Sequence, residues 1–186
     1  RLDGLIVSHE DNDHAGGAGS VLAAVPVGWL ASSLPAHHGL HASARESIAC
    51  VAGMHWDWDG VRFELLHPDA GHEALRIKAN DRSCVLRIEA GATRVLMAGD
   101  VEARAERAML RRGEAVRAEI LIAPHHGSTT SSTPEFVAAV APQITVFSAG
   151  YRNRFGHPRV EIVERYAAAG SRILRSDRDG ALSFDI

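Results

Sequence analysis

Cysteine is scarce in this chain. Cys50 and Cys84, two among 186 residues, are too few for a disulfide framework or a cysteine-based zinc site, and they do not assign a redox compartment. No uninterrupted apolar stretch approaches the roughly 18 residues of a membrane-spanning helix. The opening Arg1-Leu2-Asp3-Gly4 has no signal-peptide pattern. Neither sign of charge dominates: 20 Lys+Arg stand against 23 Asp+Glu, a net −3 with histidine neutral, which argues against broad electrostatic wrapping of nucleic acid. Repeats, low-complexity tracts and internal linkers are also missing, so residues 1–186 read as one domain, long enough to bury a core. A composition of 46% hydrophobic and 23% charged residues excludes disordered and fibrous classes. What the chain has in excess is histidine, eleven in all, bunched with aspartates, and that points to metal.

Alternation and helical spacing divide the chain into strands interleaved with helices. Strands are expected at Leu2 to Val7, Val27 to Leu30, Val61 to Leu66, Cys84 to Glu89, Thr93 to Met97, Glu119 to Ala123 and Ile144 to Phe147. Helices are expected at Ala18 to Ala24, Ala42 to Ile48, Glu102 to Arg112, Pro134 to Val140 and Val160 to Ala169. A final hairpin is expected to pair Arg172 to Leu174 with Ala181 to Phe184. Gly71 to Asp81 reads as a polar loop. The pattern is that of a layered α/β domain with mixed sheets. The chain starts one residue before an apolar strand, which reads as a fragment of something longer.

Four clusters carry chemistry. His9-Glu10-Asp11-Asn12-Asp13-His14 places four potential ligands within six residues, directly behind a strand. A helix would scatter them, whereas a tight loop turns them toward one point. Two imidazoles and two carboxylates suit Zn²⁺, Mn²⁺ or Fe better than Ca²⁺ or Cu. Gly99-Asp100 ends the strand Val95-Leu96-Met97-Ala98 with an acid. Pro124-His125-His126-Gly127-Ser128 ends another with adjacent histidines, of which one can bind metal while the other faces substrate; alternation along an extended strand does not say which. Ser128 offers a hydroxyl to an oxyanion. Finally, Tyr151-Arg152-Asn153-Arg154-Phe155-Gly156-His157-Pro158 sets Arg152, Asn153, Arg154 and His157 on a glycine-flanked loop, and arginine pairs bidentately with phosphate oxygens.

The first cluster resembles the metallo-β-lactamase signature His-x-His-x-Asp-His, with Asp11 in place of the middle histidine. That resemblance implies an αββα sandwich with mixed sheets, here lacking its first strands. It also implies that His9 and Asp11 serve one divalent ion, that Asp13 and His14 serve a second, and that Asp100 bridges them. One of His125 and His126 joins the second ion. The fold's third-motif histidine has no counterpart between His72 and Asp100; Asn80 and Asp81 stand near its place as weak substitutes.

In order, the four clusters, with Trp58-Asp59-Gly60-Val61-Arg62-Phe63 and Leu66-His67-Pro68, resemble the C-terminal domain of the ComEC family of bacterial DNA-uptake channel proteins. This second resemblance implies a nuclease that hydrolyses phosphodiester bonds of the non-transported strand with two divalent metal ions, Mn²⁺ or Zn²⁺. Single-stranded DNA is the implied substrate, and the domain is expected to be tethered extracytoplasmically to the inner membrane by the remainder of a channel protein. Asp13 and Asp100 would hold the attacking water, His157 would serve the leaving oxygen, and Ser128, Arg152, Asn153 and Arg154 would hold the substrate. The alternative is the same fold acting on another phosphoester or on a small ester or lactone. His37, His38 and His41 are expected on a loop over the site, and Trp56 and Trp58 in hairpin core.

Overall fold

The computed structural model describes residues 1–70 and 77–185, so most of the expected Gly71–Asp81 loop, with His72, lies outside the described residues. Two sheets face one another. The smaller is parallel and consists of β1 (Leu2–Val7), β2 (Val27–Ser32) and β3 (Ser47–Ala49) in that order. On its outer side run α1 (Asn12–Ala15), α2 (Ala18–Ala24) and α3 (Leu40–Ser43). They bury Ala15, Ala18 and Leu40 against Val7, Leu30 and Leu34.

The larger sheet contains β4 (His55–Trp58), β5 (Val61–His67), β6 (Val85–Ala90), β7 (Thr93–Met97), β8 (Ile120–Ile122), β9 (Ile144–Phe147) and β10 (Arg172–Arg175). Its order is β10-β9-β8-β7-β6-β5-β4, antiparallel from β4 to β7 and parallel from β7 to β10. Three helices cover its outer face: α4 (Ala103–Arg112), α5 (Pro134–Val140) and α6 (Val160–Ala168). Phe136, Phe147 and Tyr166 are fully buried there with Leu66, Leu96 and Leu121. A short α7 (Ser176–Asp179) follows β10.

The period of two decides which layer each strand residue joins. Leu96 of β7 enters the helix-side core, whereas its neighbour Met97 points to the inner face and is 44% exposed. Between the sheets lie Ala31, Leu65 and Leu86 with Ile6, Trp29, Trp56, Phe63 and Ile88. Trp56 stacks on Phe63 with ring centroids 5.3 Å apart and meets Trp29 edge-on, so Trp56 is hairpin core as expected, whereas Trp58 at the end of the same strand is 42% exposed. The layers are therefore helix, sheet, sheet, helix, as the first resemblance implied.

Cys50 and Cys84 form a disulfide. Cys50 follows β3 of the small sheet and Cys84 precedes β6 of the large one, so the bond staples the two sheets together.

Two expected elements differ. The helix at Ala42 to Ile48 gives way to α3 and then β3, because the backbone at Ser47–Ala49 pairs with Leu30–Ser32 and places Ile48 beside Ala31. The closing hairpin does not form. Arg172–Arg175 instead extends the sheet parallel to β9, and the chain then turns into α7, where Asp179 Oδ2 accepts from the Arg175 N–H.

In α4 the face that buries Ala105 and Met109 also contains Glu106, which is fully buried. Its carboxylate accepts from the backbone N–H groups of Ser132 and Thr133 ahead of α5. Those bonds satisfy a carboxylate whose ionisation burial opposes, so its pKa stands above the ordinary value.

Candidate metal centre

All four expected clusters meet at one end of the sandwich, where β1, β7 and β8 terminate. The strand-end loop 8–14 turns into α1 with Asp11 at its N-cap, and this folds His9, Asp13 and His14 back toward Asp100. Gly99 lies at φ +56 with space for a Cβ only 2.8 Å from the Ser83 Cβ, so glycine is required where Asp100 leaves β7. His125 and His126 both lie in the left-handed region (φ 49 and 53), a sparsely populated conformation for residues that carry a Cβ. The Gly127 that follows them allows no Cβ, because Pro158 and Phe147 stand 2.6 and 2.8 Å from its position.

The Asp100 carboxylate, 4% exposed, is the middle of the array. Its Oδ1 lies 3.2 Å from His14 Nε2 and 3.5 Å from His126 Nε2; its Oδ2 lies 4.0 Å from His9 Nε2 and 3.8 Å from His125 Nε2. On the Oδ1 side, His126 Nε2 is 3.3 Å from Asp13 Oδ2 and 3.2 Å from His14 Nε2. On the Oδ2 side, Asp11 Oδ2 is 3.6 Å from His9 Nε2. Two groups of donor atoms converge within 4.8 Å: His9, His14 and Asp100, and Asp13, His14 and His126. His14 belongs to both, and the expected ligands Asp11 and His125 belong to neither.

This donor set fits divalent metal on three grounds. His9 is 1% exposed, and its Nε2 is buried without a hydrogen-bond partner, a costly state for a polar atom unless a cation takes its lone pair. His126 Nδ1 faces the Ser148 carbonyl at 2.7 Å, which can only accept, so the ring proton sits on Nδ1 and Nε2 offers its lone pair inward. His14 Nε2 lies 3.2 Å from that nitrogen and 3.2 Å from Asp100 Oδ1, so two imidazole nitrogens and a carboxylate oxygen face one point where a cation can be held. Imidazole nitrogens with carboxylate oxygens are the donors of zinc, manganese and iron sites.

The titration of these groups agrees. Burial and then the neighbouring His14 lower the His9 pKa, leaving a neutral donor at neutral pH. Burial acts against ionised Asp100, but the hydrogen bond from His14 and the charges of His14, His126 and His125 hold its pKa below the ordinary value. His14 is raised overall: burial opposes its charge, and the Asp100 hydrogen bond and charge, with Asp13 and Asp11, outweigh it.

The turn Asn80–Cys84 was expected to supply a substitute ligand, and the structure shows a different use for each residue. Asn80 Nδ2 donates to His125 Nε2 at 3.4 Å. The Asp81 carboxylate does not join the donor groups: its Oδ1 accepts from the backbone N–H of Glu102 (3.1 Å) and Ala105 (3.3 Å), capping α4. Arg82 donates to Glu10 of the ligand loop at 2.9 Å. Ser83 Oγ lies 3.2 Å from His9 Nδ1 and accepts from the Asp100 N–H at 3.1 Å, and Ser8 Oγ lies 3.1 Å from Nδ1 of both His9 and His14.

Sequence reasoning missed Ser8, Arg82 and Ser83, since a serine beside a histidine carries no signal until the fold brings it there. Ser83→Ala is expected to weaken metal binding by about 10- to 100-fold, the usual cost of removing the partner of a ligand. Competition with a chromophoric chelator measures this, and an unchanged affinity overturns the role.

The remaining expected residues are placed less directly. Ser128 is buried and bonds Thr130 Oγ1 at 3.1 Å, which in turn meets His125 Nδ1 at 3.0 Å; its hydroxyl supports the turn and does not face substrate. The Asn153 side chain is also turned inward, holding its own loop. Arg152 and Arg154 lie against the rings of Tyr151 and Phe155. His157 lines a cleft of ≈ 410 Å³ together with Asp13, His126 and Phe155. Burial, His125 and Arg159 lower its pKa, so it is neutral at pH 7. His41 bonds Ser47 and Pro35, His38 meets the Leu40 N–H, and neither these nor His37 joins a donor group.

Residues 1–151 match the metallo-beta-lactamase superfamily, and the chain belongs to it. Members are metal-dependent and generally hydrolytic. Within that superfamily its similarity is to proteins of ComEC type. The chain is 37% identical, over its full length, to competence protein ComA of Neisseria gonorrhoeae. It is 34% identical over 88% of its length to recombination protein 2 of Haemophilus influenzae, and 29% identical over 99% to ComE operon protein 3 of Bacillus subtilis. It spans 26%, 20% and 24% of those relatives' own lengths. Among solved structures, a variant of CmlA beta-hydroxylase superposes over 94% of this chain and 43% of its own with TM-score 0.63 at 16% identity. Zn²⁺-bound PqqB from Methylobacterium extorquens superposes over 99% of this chain and 73% of its own with TM-score 0.56 at 13% identity, and both establish the fold. Among the described residues no helix is long and apolar enough to cross a membrane.

Proposed function

We propose that this domain is a two-metal phosphodiesterase acting on DNA, the nuclease of a membrane-bound DNA-uptake protein, and that it degrades the strand that is not transported. The observation that carries the reading is the split of the Asp100 carboxylate, one oxygen toward His14 and His126 and the other toward His9 and His125. A pair of divalent ions, Mn²⁺ or Zn²⁺, supplies Lewis acidity toward phosphoryl oxygens and a nucleophile at neutral pH.

In this reading His9 and Asp100, with Asp11 brought to 3.6 Å from His9, would hold the first ion, and Asp13, His14, His126 and Asp100 would hold the second. Asp13 and Asp100 would hold and orient the attacking water. His125 lies outside both donor groups and 3.8 Å from Asp100, where it faces the phosphate. His157, neutral at pH 7, serves the leaving oxygen by hydrogen bonding. Arg152 and Arg154 bring positive charge to the substrate side of the cleft.

The relatives named for competence and recombination support DNA as the substrate, and their greater length supports a larger membrane protein as the setting. The Cys50–Cys84 disulfide favours an oxidising, extracytoplasmic location.

The test incubates single- and double-stranded DNA with the protein in Mn²⁺, Zn²⁺ or chelator and counts bound metal. His126→Ala is expected to lose one ion per chain and at least about a hundredfold in rate, and His125→Ala to keep both ions but lose rate. Hydrolysis of small esters or other phosphoesters without DNA cleavage, at full metal occupancy, transfers the reading to a different substrate.

A further inference from the structure

Tyr151 and Phe155 are the most exposed aromatic side chains among the described residues, at 75% and 56%. They do not sit on a loose tip. Asn153 Oδ1 accepts from the His157 N–H at 2.9 Å, and its Nδ2 donates to the carbonyls of His157 (2.7 Å) and Gly150 (3.1 Å). The Arg159 N–H donates to the Gly127 carbonyl at 3.0 Å, which ties the loop's end to the turn that carries His125 and His126. The loop thus holds two apolar rings in water at a fixed place beside the metal centre. Phe155 lines the same cleft as Asp13 and His126.

The loop itself carries charge of one sign, with Asp13 facing it across the cleft. Residues 150–159 contain Arg152, Arg154 and Arg159 and no acid, in a chain whose net charge is −3. Arg152 Cζ stands 5.2 Å from the Tyr151 ring centroid and Arg154 Cζ 4.9 Å from that of Phe155. Phe155 is in turn nearly parallel to His157, at 14°. Flat rings with guanidinium planes against them, next to a phosphodiester-cleaving centre, match the two recurring units of an unpaired strand: a base with a free π-face and a phosphate. A duplex has its base faces stacked inside and presents only phosphates to such a rim.

We propose that the Gly150–His157 loop is a docking surface for a single-stranded polynucleotide, whose bases stack on Tyr151 and Phe155 while Arg152 and Arg154 hold the flanking phosphates, feeding the strand past Asp13 and His126. The proposal rests on the nuclease reading and deepens it by naming Tyr151 and Phe155 as the side chains that select an unpaired strand.

Fluorescence anisotropy in chelator, where no turnover occurs, tests it with three labelled probes: a short oligothymidylate, an abasic oligomer of the same length and charge, and a duplex. The protein is expected to bind oligothymidylate on the order of tenfold more tightly than the abasic oligomer, and more tightly than the duplex. The double variant Tyr151→Ala, Phe155→Ala brings the ratio between the first two probes toward one, and Tyr151→Phe keeps it. Arg152→Ala with Arg154→Ala weakens both probes together. Equal binding of based and abasic probes, duplex binding as tight as single-strand binding, or a ratio unchanged by the aromatic double variant overturns the proposal. DNA cleavage is measured in parallel with Mn²⁺ or Zn²⁺ restored. Its absence at full metal occupancy defeats the nuclease reading alone, whereas its presence with no base-dependent binding defeats this inference alone.

Discussion

Asp100→Ala is expected to remove metal from both positions at once and to lower phosphodiester hydrolysis by roughly 10³-fold or more, because the several kcal/mol that metal ions contribute to a phosphoryl transition state disappear together. The reason is geometric. The two oxygens of Asp100 face opposite sides of the array, at 3.2 Å from His14 and 4.0 Å from His9, and although His14 joins both donor groups, Asp100 lies within 4.0 Å of four imidazole nitrogens. The loss also reaches the ligands that remain. Burial opposes the charge on His14, the Asp100 hydrogen bond and charge oppose burial, and without Asp100 only the charges of Asp13 and Asp11 still act against it. Elemental analysis after dialysis against Mn²⁺ or Zn²⁺ reads the stoichiometry, and Asp100→Asn, which keeps the shape and removes the charge, separates ligation from packing. If Asp100→Ala kept one ion and most of its activity, Asp100 would serve a single position and the bridging assignment would be wrong.

Much of this centre is legible in the chain because ligand chemistry concentrates in short segments. His9 to His14, Asp100 and the His125–His126 pair each follow a strand, and packing the two sheets face to face brings the end of β1 to the neighbouring ends of β7 and β8. The choice between His125 and His126 is not legible, since both lie at positive φ in a turn where strand alternation does not apply. Only the Ser148 carbonyl on His126 and the Asn80–Thr130 pair on His125 separate them.

Asp81 shows the opposite failure. An acid near the place of a missing ligand reads as a substitute, yet the free N–H groups of α4 lie closer and take it. In the same way Ser47–Ala49 has helix-compatible neighbours but is drawn into the sheet by the exposed edge of β2. Glu106 defeats amphipathic reading because its partners, the Ser132 and Thr133 N–H groups, arrive from 26 and 27 residues away. Local patterns recover elements and ligand clusters; long-range partners decide what the polar residues between them do.

The disulfide is the largest feature that composition did not disclose, and its loss is expected to have the largest effect on stability. Cys50 and Cys84 are separated by 34 residues, and closing a loop of that length removes unfolded-state entropy equivalent to about 3–4 kcal/mol. For a chain of this size that amounts to a fall of roughly 10 °C in melting temperature on reduction. The bond does more than join sheets. The Cys84 N–H donates to the Ser8 carbonyl at 2.9 Å, and the preceding residue is Ser83, which touches both His9 and the Asp100 N–H. Reduction therefore frees the segment that positions the buried half of the metal centre, and metal affinity is expected to fall along with the melting temperature. Thermal denaturation and chelator competition, each with and without a phosphine reductant, measure the two effects, and the Cys50→Ala, Cys84→Ala double variant must show both losses and no further response to reductant. Two free thiols in oxidised protein, or a melting temperature indifferent to reductant, would remove the disulfide from the account. A fall in stability with metal affinity intact would confine it to holding the sheets together and leave Ser8 and Ser83 to orient His9 unaided.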